Sequence, residues 1–155
     1  MSRFVNLELD GAPKDRPPPP GAPVKDEAYY CAAAQAALAN GEFEPALRLY
    51  GKVLECNPQN PVAWVGQVRM LIELGRFHEA GRWADLALER FPHDPELLAA
   101  KGVALGRGGD LPGALAFSDS ALEERGDLAY VWLARGDVLL ARREARADYC
   151  FDKAL

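Results

Sequence analysis

After Asn60, apolar side chains return at helical spacing, with Trp64, Val68, Leu71 and Ile72 near one face. Asn60 is suited to cap the start, and Pro61 sits at the first helical position, where its missing N–H costs nothing. Gly75 closes the run, because glycine takes the left-handed cap conformation at little cost. A second helical pattern follows, with Phe77 at the turn, Ala80, Ala84, Ala87 and Leu88 on its inner face, and Pro92 as its stop. The block predicts two antiparallel helices joined by a tight turn.

The block recurs. Gly41, Gly75 and Gly109 are 34 residues apart, as are Ala46, Ala80 and Ala114. Pro58 and Pro92 keep the same step, as do the cap pairs Asn60-Pro61 and Asp94-Pro95, and Trp132 lies two steps after Trp64. Unrelated residue types sharing one period make a strong repeat signal. The units run 27–60, 61–94, 95–128 and 129–155. Small residues on first helices (Ala34, Gly102, Gly136) and second helices (Ala46, Ala80, Ala114) let paired helices approach closely. Tyr30, Trp64 and Trp132 on first helices fill the gaps, with Phe43 and Phe77 at the turns. Two helices alone cannot bury such faces, but stacked neighbours can. The predicted class is all-α, a solenoid of antiparallel helix pairs.

These residues resemble the tetratricopeptide repeat family, whose unit is a 34-residue helix-turn-helix. The second unit carries the match through Trp64, Leu71, Gly75, Phe77, Ala80, Ala87 and Pro92, and the first through Tyr30, Gly41, Phe43, Ala46, Tyr50 and Pro58. The third keeps Leu98, Gly102, Leu105, Gly109, Ala114 and Ala121, with Gly126 where the family has proline. The fourth keeps Trp132 and Gly136 but lacks the turn glycine, and Ala147, Phe151 and Ala154 fall one residue early. Gln67, Lys101 and Arg135 are polar at a position the family usually makes apolar.

The resemblance implies a right-handed α-solenoid whose concave face, lined by first helices, binds an extended peptide or short helix of a protein partner. By helical offset that face takes Cys31, Gln35 and Leu38, then Val65, Arg69 and Ile72, then Glu96, Ala99 and Val103, then Tyr130, Leu133 and Asp137. Of these, Gln35, Leu38, Val65, Arg69, Ile72, Glu96, Val103, Tyr130, Leu133 and Asp137 are the candidate partner-binding residues. Ala32, Gly66, Ala100 and Gly106 are expected to add room. The alternative is that the same residues are packing positions of a tight superhelix. One sub-class of the family grips the C-terminal carboxylate of heat-shock chaperones with lysine, arginine and asparagine. The matching positions here are Cys31, Gln35, Gly66, Glu96 and Ala100, which include no cation.

Residues 1–26 differ in kind. "FVNLEL" alternates apolar and polar residues as an extended strand would, and the prolines at 17–20 favour polyproline II. The segment reads as a leader or spacer. Pro17, Pro20 and Pro23 also give a PxxPxxP pattern, and "FVNLEL" is apolar enough to pack into the chain's own groove or a neighbour's.

Charge and chemistry narrow the function. The formal net charge is −5, the wrong sign for nucleic acid or an anionic membrane. The start lacks the apolar core of a signal peptide, so a cytoplasmic location is expected, and the Ala, Leu, Arg and Gly content suggests a GC-rich bacterial source. Three cysteines without CxxC spacing and two histidines make no metal set. "HEAGR" at His78 is not HExxH, since the fifth residue is Arg82. "GRGGD" lacks the Lys-Ser/Thr of a phosphate loop, and His93 lies in a loop before the Asp94 cap. The expected function is therefore a non-catalytic binding module without cofactor or metal. Other readings are a regulatory domain of a larger enzyme or secretion component, or a self-assembling repeat. Leu155 closes the chain inside a helical pattern beside Tyr149 and Phe151. The expectation there is a longer natural chain, or homo-oligomer contacts through this end or the leader.

Overall fold

The structure is a computed structural model that describes residues 20–21, 24–141 and 146–155. The readings of "FVNLEL", of the proline run up to Pro19, and of the shortened fourth turn fall outside these residues. The described residues form eight α-helices and no strand: α1 Glu27–Ala39, α2 Phe43–Cys56, α3 Pro61–Glu73, α4 Phe77–Arg90, α5 Pro95–Arg107, α6 Leu111–Glu124, α7 Ala129–Ala141 and α8 Arg146–Ala154. Each helix packs on the next, and α3 packs on α5 and α5 on α7. The first helices of the second, third and fourth pairs thus lie side by side.

The helix ends follow from the residues at them. The Asn60 side chain accepts from the Ala63 N–H at 3.2 Å, and Asp94 accepts from Glu96 and Leu97 at 3.0 and 3.1 Å. Proline takes the next position in both cases. At the far end of α3, Gly75 has φ 75, its N–H bonds the Ile72 carbonyl, and Arg76 reaches back to Leu71, both at 2.9 Å. This is the Schellman closure, and the same pair of bonds forms at Gly41 and Gly109.

A large core cluster runs from Ala34 to Ala134, and a second, smaller one gathers Leu139, Ala147 and Cys150 at the C-terminal end. Val53, Val68, Met70, Leu71, Leu97, Val131 and Val138 are fully buried, each worth roughly 1.5–3 kcal/mol of burial. The alanines do the close packing: Ala34, Ala46, Ala80, Ala84, Ala87, Ala100, Ala114 and Ala121 are all at 0% exposure. A Cβ on Gly102 would sit 3.1 Å from the Ala114 carbonyl, tighter than ordinary packing, so glycine eases that approach. Trp64 and Trp132 donate their indole N–H to the carbonyls of Pro58 and Gly126, at 2.8 and 2.6 Å. The tie is a side chain to a backbone carbonyl, so glycine replaces proline at 126 without loss of the bond.

The polar departures at 67, 101 and 135 form a series. Lys101 of α5 is buried, with Nζ 2.9 Å from Asp85 of α4 and donating to the Gly81 carbonyl at 3.3 Å. One repeat later, Arg135 of α7 lies 2.5 Å from Asp119 of α6 and donates to Ser118 at 3.2 Å. One repeat earlier, the carboxylate position is Gly51 and the cation position is Gln67, which is buried with Oε1 unpaired. The second and third junctions between helix pairs are charged, and the first is neutral.

Candidate binding groove

Two cavities open on the face formed by the first helices. One, of about 290 Å³, lies between α1, α3 and the start of α5, and is lined by Gln35, Leu38, Tyr50, Val65, Arg69 and Glu96 among others. The second, of about 150 Å³, lies between α3, α5 and α7, and takes in Arg69, Ile72, Val103, Tyr130, Leu133 and Asp137. All ten groove candidates line one cavity or the other, and Arg69 lines both.

They do not share one depth. Gln35 and Leu133 are exposed, and Leu38, Arg69, Glu96, Tyr130 and Asp137 are half-buried. Val65, Ile72 and Val103 are buried at 4–7% exposure and act as walls and core together. The helical period gives a direction from the axis, and the closeness of the neighbouring helices sets the depth.

Two expectations about the floor are corrected. Gly66 adds no room, because the Tyr50 ring fills the space: a Cβ there would lie 2.5 Å from the ring. Gly106 is likewise taken up in packing, with Ala114 and Val138 at 3.3 and 3.7 Å from a Cβ, and Ala100 is core. The concave face is also not made of first helices alone. Tyr50 of α2 lines the first cavity and Phe151 of α8 lines the second. Both rings lie against a glycine of a first helix, Gly66 and Gly136, each with a Cβ-to-ring gap of 2.5 Å. A second-helix aromatic opposite a first-helix glycine was the signal available in the sequence.

The electrostatics concentrate near Tyr130. The Arg69 guanidinium lies 4.0 Å from the centre of the Tyr130 ring, which links α3 to α7 across α5. Such contacts are worth roughly 0.5–2 kcal/mol, depending on desolvation. Burial is the main cause that pushes the Tyr130 phenol up to about 12. Arg69 pulls it down, while Glu73, Glu96 and Asp137 add to the rise. Tyr50 is raised too, chiefly by burial and against the pull of Arg69. Asp137 is bound by Arg107 through two N–H donors at 2.7 and 3.2 Å, a contact that raises the arginine.

The fold has counterparts in known proteins. A tetratricopeptide repeat family model matches residues 37–104. A thermophilic tetratricopeptide protein from Thermus thermophilus superimposes with a TM-score of 0.72 at 26% identity, over 83% of this chain and 73% of that one. Residues 37–104 thus match the tetratricopeptide repeat, and the chain as a whole shares the fold of such proteins. The first tetratricopeptide domain of Spaghetti (RPAP3), solved with the HSP90 peptide SRMEEVD, matches at 0.66 and 16% identity, over 79% of this chain and 94% of that one. The yeast Sti1 domain called TPR2B, solved in complex with pHsp70, matches at 0.62 and 18%, over 83% and 94%. Among curated proteins, none matches.

The histidines lie away from the two cavities on the first-helix face. His78 borders cavities at α4, beside Arg82, and His93 is exposed with Nδ1 2.8 Å from Glu124 Oε1. Among the described residues no three of His, Cys, Asp and Glu gather as a metal set, and no helix is long and apolar enough to cross a membrane. The positions matching the chaperone-tail clamp have other engagements. Cys31 Sγ lies 3.7 Å from Asn60 Nδ2, Gly66 backs Tyr50, and Gln35 and Glu96 border the first cavity.

Proposed function

We propose that this chain is a protein–protein interaction module that captures a segment of a partner protein in its concave groove, without catalysis. The observation that carries the reading is the pair of apolar-walled cavities on the first-helix face, joined at Arg69. Small side-chain-sized recesses with a few polar groups at their rims suit peptide side chains. Structural neighbours with HSP90 and Hsp70 ligands support the use of this architecture for peptide capture. A net charge of −5 speaks for a protein partner over nucleic acid. A cytoplasmic setting belongs to the proposal, and Cys31, Cys56 and Cys150 as free thiols agree with it.

The test uses the exposed groove residues, because a charge at buried Val65 would disturb the fold before it disturbed binding. Gln35→Arg with Leu133→Arg places a long cationic side chain at each cavity. Affinity purification of the wild type and the double variant, with mass spectrometry of both, should show partners lost from the variant at unchanged helicity. Retention of the same partner set by a folded double variant removes the groove assignment.

A further inference from the structure

Resting on that reading of the groove, we propose that its occupant is an extended segment of another protein, with apolar side chains alternating with lysine or arginine. Shape gives the first half of the argument. Arg69 reaches from α3 to the Tyr130 ring on α7 and stands between the two cavities, whose volumes are about 290 and 150 Å³. An α-helix is roughly 10–12 Å across with its side chains, so neither cavity is large enough to hold one. An extended chain sends every second side chain to the same face, so it can place one in each cavity while its backbone passes over Arg69.

Charge gives the second half. The residues lining the two cavities carry four carboxylates, Glu73, Asp94, Glu96 and Asp137, against two guanidiniums, Arg69 and Arg107. Asp137 is held by Arg107, and Asp94 is engaged in capping α5. Among the described residues, the Glu73 and Glu96 carboxylates have no hydrogen-bond or ion-pair partner, and both act on Tyr130. Arg69 is itself committed to the Tyr130 ring. An incoming cation therefore finds two carboxylates ready to accept it, and an incoming carboxylate meets like charge. The net charge of −5 extends the preference to the approach of the partner.

The experiment is fluorescence anisotropy on the full chain with three labelled, end-blocked peptides. In the first, leucines alternate with lysines, and in the second, with glutamates. The third has the lysine composition with leucines at helical spacing. The lysine-alternating peptide should bind about tenfold more tightly than either other at low salt, a gap that narrows as salt screens the charges. Glu73→Gln with Glu96→Gln should remove the lysine preference, and Gln35→Arg with Leu133→Arg should abolish binding.

Equal or tighter binding of the glutamate or helical peptide, still lost in the arginine variant, overturns this chemistry and leaves the groove reading standing. Lysine-peptide binding that appears only after residues 1–19 are removed makes the chain's own N-terminal segment the occupant and also overturns it. Binding of no peptide to either form overturns the groove reading itself.

Discussion

The two ends of the groove use one device under different confinement. At the first, the Tyr50 ring of α2 seats on Gly66 of α3, across the junction between two helix pairs, and is 3% exposed. At the second, the Phe151 ring of α8 seats on Gly136 of α7, within its own pair, and is half-buried. In both, a missing Cβ lets an aromatic of a second helix reach a cavity on the first-helix face. The first ring is almost wholly buried, so it belongs to the core as much as to the groove. The second is only half-buried, so fewer neighbours hold it in place.

The largest test of this contrast removes the rings. Tyr50→Ala should cost about 3–5 kcal/mol, as other buried aromatic deletions do, and Phe151→Ala about half as much, read from urea unfolding midpoints. Equal losses would mean that Phe151 is as confined as Tyr50. Next comes filling the seats. Gly66→Ala presses a methyl into an almost wholly buried ring and should cost about 1–3 kcal/mol. At Gly136 fewer neighbours hold the ring, so Gly136→Ala should cost less than about 1 kcal/mol by thermal melting while altering peptide affinity.

The smallest effect is with pH. Burial raises the Tyr130 phenol to about 12 from the ordinary 10.0. The unfolded chain therefore releases that proton at lower pH than the folded one does. The stability tied to it is intact below about pH 10 and is lost as pH climbs toward about 12. Tyr130→Phe should flatten this alkaline loss in denaturation curves across that window, and an unchanged slope would show that the phenol is wetter than its position indicates.

How much of this was legible in the sequence depends on the distance over which each feature is decided. Caps and turns are local, so Asn60, Pro61, Gly75 and Asp94 announced the helix ends, and the structure places the bonds where those residues stand. The direction of a side chain from its helix axis is also local, which is why the ten groove candidates line the two cavities. Depth was not legible, because burial of Val65, Ile72 and Val103 depends on how near the next helix comes. The contribution of Tyr50 and Phe151 was missed for a related reason. An offset along one helix says nothing about a ring arriving from another, and only the glycine opposite hints at it. The carboxylates at 85 and 119 look like solvated surface in the sequence, yet each meets a cation sixteen residues later, at 101 and 135.

Those junctions also fix an order. A helix pair carries its carboxylate at the back, on the second helix, and its cation at the front, on the first. The first pair presents Gly51 at its back and the second presents neutral Gln67 at its front, so neither edge offers a charge to the other. The third pair presents Lys101 at its front, and behind the first pair that buried ammonium would face glycine instead of Asp85. The copies thus share a shape without being interchangeable. A duplicated or transplanted unit has to bring the matching edge with it, and the succession of the four pairs is written into their seams.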